Sequence, residues 1–256
     1  MAVDGKVAFV TGGGRGIGKA LALGFAKEGY RVVVASTTQE RNEAVADLIQ
    51  EAGGQALAVQ LDVSEETEVQ RAMAEALDHF GRIDVLINNA GLKPGFTPVE
   101  QRLIKDLLLD TWQSSIAVNA TGPFLCARAA IPSMLENGRG AIINVSSGAG
   151  MNARAGGGVY AVSKGALNML TGVLAAELTE HNISVNGLLP GFTAVEGTHL
   201  DRSRSGPTPL KPETCLPACL FLAAQDPIEL TGEQINVLKW NEAHGFGGEA
   251  IWSAFA

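Results

Sequence analysis

Seven short apolar runs recur along this chain, and a helical pattern separates each from the next. The runs are Lys6–Val10, closed by Thr11-Gly12, then Arg31–Ala35, Ala56–Leu61, Ile83–Ile87, Ala141–Val145, Ile183–Leu189 and Gln234–Leu238. Between them, apolar residues fall at helical spacing from Ile17 to Phe25 with a stop at Gly29, over Gln39–Glu51, from Ser64 to near Gly81, over roughly 100 to 136, over Val159–Thr179 and over Leu216–Ala224. Ser64 is expected to cap the third of these helices. Strands apolar on both faces, alternating with helices, predict an α/β fold: a doubly wound, seven-stranded, mostly parallel sheet covered on both sides. A chain of 256 residues, 46% hydrophobic, is enough for one such domain, spanning 1–256.

Composition removes several functions. The net charge is −8, so the surface repels phosphate backbones and nucleic acid is not expected as a partner. Met1 to Lys6 lacks a basic region followed by an apolar stretch, and no run approaches the ~18 apolar residues of a membrane span. A soluble, cytoplasmic protein with no membrane partner is expected. Three cysteines, Cys126, Cys215 and Cys219, argue against a disulfide framework and read as core residues. His79, His181, His199 and His244 lack metal-ligand spacing.

The segment Thr11-Gly12-Gly13-Gly14-Arg15-Gly16-Ile17-Gly18 joins the first strand to the first helix. Glycines there let backbone approach a pyrophosphate, and the helix N-terminus presents free N–H groups to it. Gly12, Gly14, Arg15, Gly16, Ile17 and Gly18 are the candidate contacts. After the second strand the chain reads Ala35-Ser36-Thr37-Thr38-Gln39, with no carboxylate before Glu40. An acid at that place would accept from the ribose hydroxyls of NAD(H) and repel a 2′-phosphate. Its absence, with donors on Ser36 and Thr37 and charge on Arg15, favours NADP(H) and leaves NAD(H) possible. Arg15 also has a simpler reading as a solvated turn residue.

Tyr160 and Lys164 stand four apart on one helix face. An ammonium near a phenol stabilises the phenolate, and such a tyrosine exchanges a proton with a carbonyl or alcohol oxygen. The spacing of the glycine turn, TGxxxGxG, together with Asn88-Asn89-Ala90-Gly91 and Tyr160-Ala161-Val162-Ser163-Lys164, resembles the short-chain dehydrogenase/reductase family from about Lys6 to about Gly191. The general likeness is to its 3-oxoacyl-[acyl-carrier-protein] reductase-like members.

The resemblance implies a Rossmann-type catalytic domain that binds a nicotinamide cofactor and interconverts a carbonyl and an alcohol of a small-molecule substrate. It implies catalytic roles for Asn119, Ser147, Tyr160 and Lys164, with Ser146 a rival to Ser147. It places Asp62 and Val63 at the adenine, though Asp62 can also cap the turn that follows. Asn89, Ala90 and Gly91 would line the ribose side, and Pro190, Gly191 and Thr193 would flank the nicotinamide. Tyr160 and Lys164 would also touch the cofactor. A substrate lid is expected near 192–210, and a homotetramer, or else a homodimer, is implied.

Lys93 and Arg154 would border the substrate, as anion contacts or as ordinary solvated loop charges. The tail departs from the family's pattern after Val237, and its Trp240, Trp252 and Phe255 suit either an interface or a pocket wall. A non-catalytic NADP-binding sensor or structural subunit is the alternative reading, and a sugar-nucleotide epimerase or dehydratase a third.

Overall fold

A computed structural model describes residues 5–92, 103–153, 155–193, 209–225 and 229–246. Among these, seven strands build one sheet: β1 (Val7–Thr11), β2 (Arg31–Ser36), β3 (Ala56–Gln60), β4 (Val85–Asn88), β5 (Gly140–Val145), β6 (Ile183–Leu189) and β7 (Gln234–Asn236). Their order is β3-β2-β1-β4-β5-β6-β7, and every neighbouring pair is parallel. The helices are α1 (Gly16–Lys27), α2 (Gln39–Glu51), α3 (Glu66–Phe80), α4 (Leu109–Ile116), α5 (Gly122–Glu136), α6 (Gly158–Leu178), α7 (Leu216–Ala224) and α8 (Val237–Ala243).

Period-two alternation splits the core into two layers. Phe9, Val33, Leu86 and Ile142 face one side, where Met73 of α3, Cys126 of α5 and Leu174 of α6 cover them. Val10, Val34, Ile87 and Ile143 face the other, against Leu21 and Phe25 of α1, Ile49 of α2 and Leu222 of α7. Each fully buried Phe, Leu or Ile contributes roughly 1.5–3 kcal/mol. Winding reverses between β3 and β4, so the carboxyl ends of β1 and β4 open the crevice where ligands of such sheets bind.

Local details differ from the sequence expectations. Ser64 does not cap α3. Its amide and hydroxyl bond Asp62 Oδ1 at 2.9 and 2.6 Å, and Glu68 reaches back to the Asp62 amide at 2.8 Å. The aspartate thus organises the turn, and the helix starts two residues later than Ser64. The helical region before β5 is broken by five residues in π conformation, Ala117–Thr121. The last strand stops at Asn236, not Leu238. Asn236 Oδ1 accepts from the Lys239 amide at 3.1 Å, which caps α8, and Trp240 packs on Phe221 of α7 with ring centroids 5.0 Å apart. Trp252 and Phe255 lie outside the described residues.

One helix is more apolar on average than its longest unbroken apolar run suggests. Gly158–His181, which is α6 with the turn after it, is long and apolar enough to cross a membrane by length and composition, with mean hydropathy 1.2. Counting uninterrupted apolar residues misses it, because Gly, Ser and Thr break the run while costing little hydropathy. One face of this helix lies in the core through Leu167, Leu174 and Leu178 and carries the buried Lys164.

Candidate functional site

Two loops and two helices meet above β1, β4 and β5. The glycine turn is held from β4. Thr11 Oγ1 accepts from the amides of Asn89 and Ala90, both at 3.0 Å, while Asn89 Nδ2 donates to the carbonyls of Thr11 at 2.9 Å and Gly12 at 3.2 Å. Asn89 therefore braces the turn through its side chain.

Gly12 has φ +64°, and a Cβ there would stand 2.8 Å from Asn89 Nδ2. Gly18 is pressed harder still: its Cβ would lie 2.1 Å from the Gly12 carbonyl oxygen. Any side chain at Gly18 would push the start of α1 off the turn, so the N–H groups there depend on this glycine. Gly16 takes φ +53°, and Ile17 packs under the turn against the α1 side of the core. Arg15 precedes α1 in extended conformation with its side chain exposed. These features make a cradle shaped for a phosphate group.

The end of β2 forms the neighbouring wall. Asn42, fully buried on α2, donates to the carbonyls of Ser36 at 3.0 Å and Val59 at 2.8 Å. With both its protons spent, its oxygen must accept, and the Ser36 hydroxyl donates to it at 2.5 Å. Thr37, by contrast, is exposed. Gly14 touches this wall: a Cβ there would be 3.0 Å from each of Ser36 Oγ, Asn42 Oδ1 and Arg41 Cβ. Arg41 thus stands beside Gly14 and Ser36 at the end of β2. Sequence reading passed over Arg41 and Asn42, which sit in an ordinary charged helix start.

Asp62 and Val63 follow β3. Val63 is buried and fills the space above Gly122, whose Cβ would lie 2.7 Å from Val63 Cγ2.

On the other side of the crevice, Ser147 follows β5 and is half-buried. Its Oγ accepts from the Ala149 amide at 3.2 Å and lies on the Tyr160 side of the crevice. Ser146 is directed elsewhere: it is buried and donates to Asn168 Oδ1 at 2.5 Å. The two serines are thereby separated, since Ser146 is committed to Asn168 and Ser147 is not.

Lys164 is buried one turn along α6, and its Nζ donates to the Val145 carbonyl at 2.9 Å. Two further protons of the ammonium remain for other acceptors. Gly91 passes beside it, since a Cβ there would lie 3.6 Å from Lys164 Nζ and 3.2 Å from Asn119 Oδ1. Burial lowers the Lys164 pKa from 10.5 to about 8. Burial also raises Tyr160 above its ordinary value, against a smaller lowering by the Ser147 hydroxyl.

Asn119 lies inside the π segment, fully buried. Its amide closes on the backbone of Leu92, donating to the carbonyl and accepting from the N–H, both at 2.8 Å, and it also donates to Ser163 Oγ at 3.0 Å. Isolated π turns inside α-helices are frequent at functional sites.

After β6, Gly191 takes φ +78°, and its backbone runs beside Leu210 and Leu238. Thr193 pairs with Leu210 in an isolated bridge, and the Thr193 hydroxyl donates to the Pro190 carbonyl at 3.4 Å. The two ends of the expected lid therefore meet at its base, while 194–208 lies outside the described residues, as do Lys93 and Arg154.

Comparisons with known proteins converge on one family. A sequence model of the family described as short chain dehydrogenase matches residues 6–205. A 3-oxoacyl-[acyl-carrier-protein] reductase of Synechocystis sp. is 40% identical over 77% of this chain and 78% of its own length. Glucose 1-dehydrogenase 2 of Bacillus subtilis is 36% identical over 92% of this chain and 94% of its own. Among solved structures, a metagenomic short-chain oxidoreductase in complex with NADP superposes with a TM-score of 0.78 at 33% identity, covering 92% of this chain and 99% of that one.

Proposed function

This chain belongs to the short-chain dehydrogenase family, and we propose that within it the protein is a single-domain, NADP(H)-dependent oxidoreductase interconverting a carbonyl and a secondary alcohol, with Tyr160 as general acid/base. The observation that carries this reading is the packing of the loop that follows Ser147, at Gly150, onto the helix that carries Tyr160 and the buried Lys164. The glycine cradle and the free donors of Lys164 suit a dinucleotide. When bound, the nicotinamide supplies or accepts the hydride.

The chain's own residues do the rest. Ser147 orients the substrate oxygen and stabilises charge that develops on it. The Tyr160 phenol donates its proton to that oxygen in reduction and takes it back in oxidation. A phenol raised by burial stays protonated at neutral pH but gives its proton up less readily. Lys164, once its remaining N–H groups reach the ribose hydroxyls, sets a positive charge near that phenol and pulls its pKa down. Asn119 holds the loop after Asn88-Asn89-Ala90-Gly91 against α6.

Preference for NADP(H) is supported by the lack of a carboxylate at the end of β2 and by the place of Arg41 beside Gly14 and Ser36. Asp62, with one oxygen used by Ser64, keeps the other for the adenine. The partners follow the same reading: a small-molecule carbonyl or alcohol, no nucleic acid and no membrane, in a cytoplasmic protein. The exposed Phe124 on α5 and Val162, Met169 and Val173 on α6 support contact between copies in a homotetramer or homodimer.

The test is oxidation of NADPH and NADH against ketones, aldehydes, acyl thioesters and sugars. Turnover is expected with NADPH, lost in Tyr160→Phe and reduced about 10²–10³-fold in Ser147→Ala, while Ser146→Ala stays within a few-fold. Tight nucleotide binding without turnover on any substrate would instead favour the sensor or structural-subunit reading.

A further inference from the structure

Tyr160 stands in the first turn of α6, where the backbone N–H groups have no partners within the helix. Gly157 precedes it and offers no side-chain cap. Constraint on that turn comes from elsewhere. Ser163 Oγ donates to the Tyr160 carbonyl at 2.9 Å and accepts from Asn119 Nδ2 at 3.0 Å. Ser163 and Asn119 are both fully buried.

The direction of each bond is forced. Asn119 Oδ1 takes the Leu92 amide proton, so its nitrogen faces the Leu92 carbonyl and Ser163. The Ser163 oxygen then receives a proton from Asn119, and its own proton turns to Tyr160. Both Asn119 protons are consumed in this way, so that amide positions groups and has no proton left to pass on. Tyr160 is thereby held through its backbone by Ser163.

We propose that Ser163 is a positioning residue for Tyr160: its hydroxyl ties the first turn of α6 to the Asn119 amide and so aims the phenol at Ser147. The proposal rests on the reading of Tyr160 as the acid/base. It concerns a residue that touches neither substrate nor the reacting atoms.

The chain contains two tyrosines, Tyr30 and Tyr160, so ring-labelled tyrosine gives two NMR signals. Tyr30 is 4% exposed, packed on Phe25, and serves as an internal report on the fold. In Ser163→Ala the Tyr160 titration is expected to move to higher pH as the phenol moves away from Ser147, while the Tyr30 curve stays in place. The same variant should lose about tenfold in kcat with the cofactor KM within about twofold, the pattern of a group misaligned for the chemical step.

Superposed Tyr160 titrations with kcat within about twofold would overturn the proposal, as would an equal loss in kcat and cofactor affinity, which marks general damage. Should Ser163→Ala fail to fold, with the Tyr30 signal no longer native, Ser163→Cys decides by the same readouts. It fills the space with a weaker donor and acceptor and should shift Tyr160 in the same direction. If the wild type turns over nothing, the acid/base reading fails on its own, and the titration still shows whether Ser163 governs the Tyr160 phenol.

Discussion

Gly150 backs directly onto Lys164: a Cβ at Gly150 would lie 2.5 Å from the Lys164 carbonyl carbon and 2.7 Å from the Gly165 amide nitrogen. Both neighbours are helix backbone and cannot swing aside. This contact brings the loop carrying Ser147 down onto the helix carrying Tyr160 and Lys164.

Gly150→Ala should therefore separate Ser147 from Tyr160. Overpacking of this kind costs about 1–3 kcal/mol, or about 5 °C in Tm for a chain of this size. Displacing a catalytic group by about 1 Å costs on the order of 10²-fold in rate. A fall in kcat of about that size is expected, with cofactor affinity little changed. A kcat within about threefold of wild type would show that the loop absorbs the methyl group without moving Ser147.

Cofactor choice should depend on the corner where Gly14 meets Ser36, Asn42 and Arg41. Arg41→Ala and Arg15→Ala are each expected to raise the KM for NADPH about tenfold or more, the worth of one charge-assisted hydrogen bond, and to leave NADH unaffected. Thr37→Asp should go further and reverse the preference, since a carboxylate repels the 2′-phosphate and accepts from the ribose hydroxyls. Equal effects of Arg41→Ala on both cofactors would remove it from the phosphate site.

Burial of Lys164 predicts a pH dependence of stability. Its folded pKa is about 8 against an ordinary 10.5. Between those values the unfolded chain holds the proton and the folded chain does not, so this group makes stability rise with pH across that window. The cost of the buried charge is fully present below pH 8 and gone above 10.5. Compared with Lys164→Met, the wild type should gain up to about 3 kcal/mol from pH 8 to 10.5. Chemical denaturation of both proteins at several pH values measures this. Parallel curves would show that Lys164 keeps its proton in the folded state through its bond to Val145.

The features legible in the sequence were local ones. Lys6–Val10 and its glycine turn announced a strand, a tight bend and a helix because each depends on residues adjacent in the chain. The shared face of Tyr160 and Lys164 follows from helix geometry alone. The resemblance left Ser146 a rival to Ser147, and the structure separates them, since Ser146 is turned to Asn168. Arg41 gave no signal, because an arginine in the first turn of an amphipathic helix is ordinary, and only its approach to Gly14 marks it. The shortened β7 was equally hidden: Val237 and Leu238 look like strand residues until Trp240 packs on Phe221 and Asn236 caps a helix.

The sequence by itself determined the parallel sheet, the place of the nucleotide turn and the family-like set of Asn119, Ser147, Tyr160 and Lys164, because periodicity and close spacing are properties of neighbouring residues. Only the tertiary structure decided which hydroxyl is free and which is spent. Ser36 is committed to Asn42, Ser146 to Asn168 and Ser163 to Tyr160, whereas Ser147 Oγ accepts from the Ala149 amide of its own loop. Several of those partners lie on other elements of the fold, and a buried hydrogen bond is set by which groups packing brings within about 3 Å of each other.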